Sequence, residues 1–184
     1  MKDIFERDLS GEMVSMDEPE FDNLYGVIQN AQKLIHKLNT QELSPEEIRA
    51  LMAELTGKPF DATNTILPPF YVDFGRNINF GKHFFMNTAC TFMDRGGIEI
   101  GDHVFIGPRV CLTTTNHDFN PYNRRTTFSK PIVIKDRVWI CINATICPGV
   151  TIGQNSIIAA GAVVTKNVPL MSLWGAIRPK SLSI

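Results

Sequence analysis

One histidine, His117, lies within the polar segment LTTTNHDFNPYNRRTTFSK of residues 112–130. Imidazole is the side chain whose ordinary pKa lies nearest neutrality, so it can take a proton from a neutral hydroxyl. Around it, Asn116, Asp118 and Phe119 mix turn-forming residues with an aromatic ring, which predicts an ordered loop rather than a flexible linker. His117 is therefore a candidate general base, although a single loop histidine taken alone is more often a solvated surface residue.

The segment interrupts a repeat with a period of six residues. Apolar residues recur at this interval in two runs: Phe80, Met86, Phe92, then after a two-residue shift at 94–97 Ile100, Ile106 and Leu112, and later Ile134, Ile140, Ile146, Ile152, Ile158 and Val164. This period fits neither an α-helix nor a sheet of hairpins, which bury residues about every 3.6 or about every 2 positions. It predicts a hexapeptide β-helix, in which three short strands form one triangular coil and the repeated residue points inward.

The interruption itself predicts a protruding loop. Leu112 and Ile134 are 22 residues apart, which is not a multiple of six. Residues 113–131 must therefore leave the stack of coils and return to it, and a long loop within a compact domain is usually functional. The remaining register positions predict about four to five coils between residues 60 and 170.

The N-terminal third has a helical pattern instead. Apolar residues at spacings of three and four predict an amphipathic helix over residues 18–38. A second helix is expected to begin at Ser44, because Pro45 suits the first helical position and Glu47 completes a capping box. We therefore divide the chain into an α-helical cap, residues 1–58, and a β-helix domain, residues 59–184, with loop 113–131 and a C-terminal tail.

The composition excludes several classes of function. A net charge of −1 with 43% hydrophobic residues indicates neither disorder nor a nucleic-acid-binding surface. No signal-like or membrane-spanning apolar segment is present in the sequence, so a cytoplasmic location is expected. The four cysteines contain no CxxC pair and are interpreted as reduced thiols.

Four motifs together point to a family. They are SGEMVSMDEPEF (10–21), PPFYVDFGRNINFGKHFFMN (68–87), NHDFNP (116–121) and VWICINATICPGVTIGQNSIIAAGAVVTKNVP (138–169). On these motifs the chain resembles the sugar O-acetyltransferases of the hexapeptide-repeat superfamily, which include galactoside and maltose acetyltransferases. The resemblance implies a mainly β fold, a left-handed parallel β-helix with an N-terminal α-helical cap. It also implies a homotrimer with sites between subunits, acetyl-CoA as co-substrate, a sugar-like acceptor and no metal.

The resemblance assigns roles to individual residues. His117 would be the general base that removes the proton of the acceptor hydroxyl. The matching positions for substrate binding are Asp17, Asp73, Asn87 and Trp139, and those for CoA binding are Ala160, Thr165, Lys166 and Lys180. Considered without the family, Asp17 is an ordinary helix N-cap, Asp73 a turn former and Asn87 a corner residue. Trp139 is expected to point outward, because it lies between two inward-facing positions.

The sequence also departs from the family pattern. Cys141 and Ile142 replace small or polar residues beside the CoA groove, and Arg95 stands where some relatives place an acidic acceptor contact. The tail WGAIRPKSLSI departs from the family's GxPAK pattern, which bears on Lys180. These departures leave open a second interpretation, a catalytically impaired trimeric scaffold.

A third interpretation is a metal-dependent hydratase of the γ-carbonic anhydrase type, since that chemistry also occurs on left-handed β-helix trimers. Such a site needs three imidazoles around zinc. His83 and His103 occupy equivalent positions one coil apart, but the sequence places no second histidine beside His117.

Overall fold

The repeat folds into a parallel β-helix with three flat faces. The computed structural model describes residues 2–175 and the backbone of residues 180–181. Successive strands occupy the first, second and third face in turn, and strands one coil apart pair in parallel. The coils wind left-handed, and the structure confirms the predicted mainly β, left-handed parallel β-helix.

Each face is built from strands of two to four residues. The first face contains β2 (Thr65–Ile66), β5 (Phe85–Met86), β8 (Phe105–Ile106), β13 (Trp139–Ile140), β16 (Ile157–Ile158), β18 (Ser172–Trp174) and the antiparallel β19 (Lys180–Ser181); the second contains β3 (Phe70–Val72), β6 (Cys90–Met93), β9 (Cys111–Thr113), β14 (Thr145–Ile146) and β17 (Val163–Val164); the third contains β4 (Ile78–Phe80), β7 (Ile98–Ile100), β12 (Ile132–Ile134) and β15 (Thr151–Ile152).

The six-residue repeat supplies the interior of the coils. The six register residues from Ile134 to Val164 are each 1% exposed or less. Ile100 pairs with Ile134 and Ile106 pairs with Ile140, so the two runs keep one register across the interruption. Burying each aliphatic side chain contributes about 1.5–3 kcal/mol, so these residues are a main source of the coils' stability.

The interruption is an ordered β-hairpin. Its strands are β10 (Thr115–His117) and β11 (Thr126–Ser129), with a 3-10 turn at Pro121–Asn123 between them. A short N-terminal strand, β1 (Val14–Ser15), pairs with β11 on its other edge. The hairpin leaves the stack where the second face turns into the third, which we call the hairpin corner. The prediction of an ordered, extruded loop is confirmed, and its strand pairing is new.

Three helices precede the coils: α1 (Ile4–Leu9), α2 (Phe21–Thr40) and α3 (Pro45–Thr56). The sequence analysis missed α1, and α2 begins three residues later than predicted. The start of α3 is as predicted, because the Ser44 hydroxyl accepts the Glu47 amide and the Glu47 carboxylate accepts the Ser44 amide.

The helices close the lower end of the stack. The Asn39 side chain donates to the Phe70 carbonyl and accepts from the Phe70 amide, at 2.8 and 2.9 Å, and Gln32 donates to the Val72 carbonyl. These bonds satisfy backbone groups of the edge strand β3 that would otherwise invite pairing with another chain. Apolar residues of α2 and α3 join one core with the coils, so the division into residues 1–58 and 59–184 stays a prediction. Within the described residues, no helix is long and apolar enough to cross a membrane.

Candidate active site

The hairpin holds His117 at its exposed end. His117 pairs with Thr127 across the two strands, and its Nδ1 lies 2.6 Å from the carbonyl oxygen of Arg124. A carbonyl oxygen only accepts hydrogen bonds, so Nδ1 carries the proton and donates it. The other ring nitrogen, Nε2, is then the unprotonated one and can accept a proton. The backbone of the hairpin therefore sets the tautomer that a general base requires.

His117 lines an open cleft of about 340 Å³ between the hairpin, the helical cap and the hairpin corner. The cap contributes mainly apolar side chains, and the coils and hairpin contribute polar ones. The lining residues are Met16, Phe21, Tyr25, Ile28, Asp73, Met93, Arg95, Thr113, Thr115, His117 and Thr127. The structure thus brings two of the predicted site residues, Asp73 and His117, into one cleft.

Asp73 is partly buried and pairs with the fully buried Asp94. Its Oδ1 accepts the Asp94 amide at 2.9 Å. The Asp94 carboxylate accepts three backbone amides, from Phe74, Gly75 and Asn77, and so closes the tight turn of the hairpin corner. Burial, and then the charge of Asp73, raise the pKa of Asp94 to about 7 in spite of these donors. Burial also raises the pKa of Asp73, so the pair does not carry two full charges near neutrality.

Asp17 lies on the cap side of the hairpin. Its carboxylate accepts from Nε of Arg125 at 2.7 Å, in an ion pair whose side chains are about two-thirds exposed. Glu20 holds the N-cap position of α2, so the ordinary interpretation of Asp17 as the N-cap is wrong. Arg125 follows Arg124, whose carbonyl binds His117, and Asp17 is thereby placed next to the turn that orients the histidine.

Asn87 and Trp139 lie elsewhere on the chain, in an open cleft of about 350 Å³ on the first face. Trp139 points outward as predicted, with 51% of its surface exposed. It stands in one column with Phe105, which is 52% exposed, and with Phe85. We call the outward column Phe85, Phe105, Trp139 and Ile157 the aromatic face. Within one chain, the structure does not bring Asn87 or Trp139 to His117.

The residues predicted to contact CoA lie at exposed corners of the upper coils. Ala160 follows β16 on the first face, and Thr165 and Lys166 follow β17 at the hairpin corner. The Gly161 amide, next to Ala160, donates to the carbonyl of Ile142 one coil below. Cys141 and Ile142, which depart from the family pattern, therefore adjoin this corner. The side chain of Lys180 lies outside the described residues.

A buried ion pair at the cleft was missed. Nε and Nη2 of Arg95 donate to the two carboxylate oxygens of Asp8 at 2.8 and 2.9 Å, and the two side chains are 5% and 2% exposed. The sequence singled out Arg95 only as a departure from the family. No local signal marks Asp8, because its partner is 87 residues away along the chain.

The histidine pair of the hydratase interpretation lies at a different corner. The rings of His83 and His103 stack with centroids 4.5 Å apart, and both residues adopt a positive φ. Among the described residues, no group of three histidine, cysteine or acidic side chains converges as metal ligands would. The four cysteines, all described, are unpaired thiols.

Comparison with known proteins identifies the class. A model of the bacterial transferase hexapeptide family (six repeats) matches residues 131–166. A galactoside O-acetyltransferase of Lactococcus lactis is 34% identical over 155 residues, which make up 82% of this chain and 74% of the relative.

Solved structures agree. A maltose O-acetyltransferase from Clostridium difficile superposes with a TM-score of 0.89 at 30% identity, covering 99% of this chain and 96% of the other. A hexapeptide-repeat acetyltransferase of Vibrio cholerae, solved with acetyl coenzyme A, gives a TM-score of 0.81 at 35% identity over 100% of this chain and 98% of the other. The chain belongs to the hexapeptide-repeat acetyltransferases, within the group of galactoside and maltose O-acetyltransferases, which confirms the predicted family and enzyme class.

Proposed function

We propose that the protein transfers the acetyl group of acetyl-CoA to a hydroxyl of a sugar or similar small acceptor, with His117 as general base. The observation that carries this proposal is the 2.6 Å contact between Nδ1 of His117 and the Arg124 carbonyl, which leaves Nε2 as the accepting nitrogen. Relatives named as galactoside and maltose O-acetyltransferases supply the reaction class.

In the proposed reaction, Nε2 of His117 takes the proton of the acceptor hydroxyl as its oxygen bonds to the thioester carbonyl carbon. The carbon–sulfur bond then breaks, and the imidazolium returns the proton to the departing thiolate of CoA. The Arg124 carbonyl stabilises the transient positive charge of the ring through the Nδ1 hydrogen bond. No covalent acyl-enzyme is needed, so holding both substrates together supplies much of the acceleration.

Asp73 and Asp17 are proposed to bind the acceptor from opposite sides of His117. Asp73 lines the same cleft, and its carboxylate can accept hydrogen bonds from hydroxyl groups. Asp17 is reachable from solvent next to the turn at Arg124 and Arg125. In the binding of a polyhydroxylated acceptor, the exposed Asp17–Arg125 pair can rearrange at little cost, since such pairs stabilise a fold by less than about 1 kcal/mol.

The other half of the site is proposed to come from a second copy in a homotrimer. Phe105 and Trp139 of the aromatic face are exposed beside Ile142, and exposed apolar patches of this kind mark interaction surfaces. In the trimer, Asn87 of the partner subunit and Trp139 of the partner subunit would complete the cleft of His117. Acetyl-CoA would lie along the groove between subunits, next to Ala160, Thr165, Lys166 and Lys180.

Product analysis tests the reaction. Purified protein is incubated with acetyl-CoA and a mixed panel of neutral sugars, glycosides and polyols, and the products are identified by mass spectrometry. We expect mono-acetylated acceptor and free CoA in equal amounts. Consumption of acetyl-CoA without acetylated product, or no consumption at all, would contradict the proposed function and favour the scaffold interpretation.

Complementation tests the shared site. His117→Ala and Asn87→Ala copies are each expected to be strongly impaired, and co-expressed copies should form mixed trimers. Random mixing leaves about a quarter of the interfaces with both residues intact, so roughly a quarter of the parent activity should return. Mixed trimers that stay as inactive as the separate variants would show that both residues act within one chain or not at all.

A further inference from the structure

Arg95 is a buried arginine that faces the cleft of His117. It lies in the two-residue insertion at the hairpin corner, next to Asp94, and its guanidinium is held in place from two sides. Asp8 of α1 binds Nε and Nη2 in a bidentate pair, and Thr127 of β11 accepts from Nη2 at 3.2 Å. The ring of Phe21 lies 5.6 Å from the guanidinium carbon.

The third guanidinium nitrogen, Nη1, is the group of interest. No side-chain or backbone oxygen of the described residues accepts a hydrogen bond from it. Yet every fully buried polar side-chain atom in the described part of the chain has a partner, so Nη1 keeps access to open space. The open space that Arg95 lines is the cleft of His117. Nη1 is therefore the guanidinium nitrogen that is left to donate into this cleft.

The electrostatics of this donor favour a neutral ligand. The charge of Arg95 is already compensated by Asp8, and a second acidic group, Asp73, lines the same cleft. An anionic ligand would meet Asp73 and would compete with Asp8 for the guanidinium. A hydroxyl or ring oxygen needs only a directed donor, which Nη1 provides. The apolar side chains of Phe21, Tyr25 and Met93 suit the carbon–hydrogen face of a ring.

We propose that Arg95 is a specificity-determining, acceptor-binding residue whose Nη1 donates a hydrogen bond to a hydroxyl or ring oxygen of a neutral, polyhydroxylated acceptor. Asp8 is a positioning residue that fixes the orientation of the guanidinium. This assignment rests on the proposed function, because it concerns the acceptor of that same reaction. It predicts that neutral glycosides are better acceptors than the matching uronates, and that the N-terminal helix α1 takes part in acceptor selection.

The test compares Arg95→Lys with the parent in steady-state kinetics. Lysine keeps a positive charge for Asp8 but has no second terminal nitrogen to donate into the cleft. Losing one hydrogen bond from a charged donor should raise the acceptor KM, or lower kcat/KM for the acceptor, by about tenfold to a hundredfold. The KM for acetyl-CoA should stay within about twofold of the parent, since no residue proposed to bind CoA touches Arg95.

Two further variants separate recognition from folding. Arg7→Lys changes an arginine that ties α1 to Glu18 without lining the cleft, and it should leave the acceptor KM unchanged. Asp8→Leu combined with Arg95→Met replaces the buried pair by apolar side chains of similar size, an exchange that such pairs often tolerate. The double variant should unfold in a cooperative thermal transition, which shows that it is folded, and it should have the same rise in acceptor KM.

The outcomes are distinguishable. An unchanged acceptor KM in Arg95→Lys and in the folded double variant, with a parent that acetylates sugars, overturns the role of Arg95 alone. An equal rise in Arg7→Lys, or a parent that prefers uronates, also overturns it, because the effect would then be structural or the ligand anionic. A parent that acetylates no member of the panel overturns the proposed function, and the assignment of Arg95 falls with it.

Discussion

The stacked coils and the segments added to them differ in how their residues are used. In the coils the repeated side chains are almost fully buried and the strands keep one parallel register. The hairpin and the segment that leads into α2 carry exposed polar groups, including His117 and Asp17. The regular part supplies the frame, and the residues proposed to carry out the chemistry lie where the period is broken. The hairpin corner shows this most clearly, since Asp73, Arg95 and the base of the hairpin all lie there.

The largest expected effect comes from the hairpin. His117→Ala should lower kcat by roughly a hundredfold to ten-thousandfold, because general-base catalysis is lost while both substrates still bind. The matched variant His83→Ala removes a histidine of the coils whose ring stacks on His103 away from the cleft, and it should leave kcat unchanged. Acetyl transfer is measured as release of free CoA at saturating substrates.

If the two variants do not differ in kcat, the functional distinction between the hairpin and the coils is contradicted. Equal losses in His117→Ala and His83→Ala, with both proteins folded, would mean that histidine substitution harms the coils in general. An unchanged kcat in His117→Ala would show that His117 is not the general base. Positioning of the two substrates would then be the main source of catalysis.

The sequence predicts the repeating coils better than it predicts the contacts of the segments added to them. The period of six fixes which residues are buried, because every coil repeats the same local geometry and register shifts would expose Ile140 or Ile146. The 22-residue interval predicts that residues leave the stack, and Ser44 with Glu47 predicts the start of a helix. These features depend on neighbours in sequence or on strict repetition.

The missed features depend on contacts between distant segments. β1 pairs with β11 across more than a hundred residues, and Asp8 binds Arg95 across 87. Nothing local to Val14 or Asp8 indicates a partner. The tautomer of His117 is likewise set by a backbone carbonyl seven residues away, which depends on the turn that the hairpin adopts. Among the predicted site residues that the structure describes, Asp73 shares the cleft of His117, whereas Asn87 and Trp139 share a second cleft on the first face.

A second prediction compares how alanine substitution of one glycine in the coils and of one glycine in the helical cap changes the free energy of unfolding. A Cβ on Gly81 would lie 2.5 Å from the backbone carbon of Gly101 in the next coil, whereas a Cβ on Gly26 in α2 would meet nothing within 4 Å. Gly81→Ala should therefore lower the free energy of unfolding by about 1–3 kcal/mol, since backbone atoms must move. Gly26→Ala should raise it by about 0.5–1 kcal/mol, because alanine favours the helix.

Denaturant unfolding of the two variants measures the contrast directly. Coils that tolerate alanine at position 81 as well as the helix tolerates it at position 26 would show that neighbouring coils can separate to admit a methyl group. The close approach of coils would then not be the reason for glycine at this corner.

The smallest predicted effect concerns the paired carboxyl groups at the hairpin corner. Burial and Asp73 raise the pKa of Asp94 to about 7, above the ordinary value of 3.8. The native state therefore holds a proton that the unfolded chain releases, and the stability associated with this pair is present below about pH 4 and is lost as the pH rises through about 7. Asp73→Asn removes the neighbouring charge and keeps an oxygen for the Asp94 amide. Between pH 4 and pH 8 the variant should lose less stability than the parent by about 1 kcal/mol, or roughly one pKa unit.

Urea unfolding at several pH values gives this difference, and Asp118→Asn provides a control of opposite sign in the hairpin. The Asn120 amide, followed by the Asn123 side chain, lowers the pKa of Asp118, so that carboxylate favours the native state above its unfolded pKa and the advantage is lost as the pH falls. Removing Asp118 should thus lower stability more at pH 8 than at low pH. If Asp73→Asn and Asp118→Asn changed the pH dependence in the same direction, the carboxyl groups of the corner would be no more desolvated than those of the exposed hairpin, and the corner would lack the buried electrostatics assigned to it.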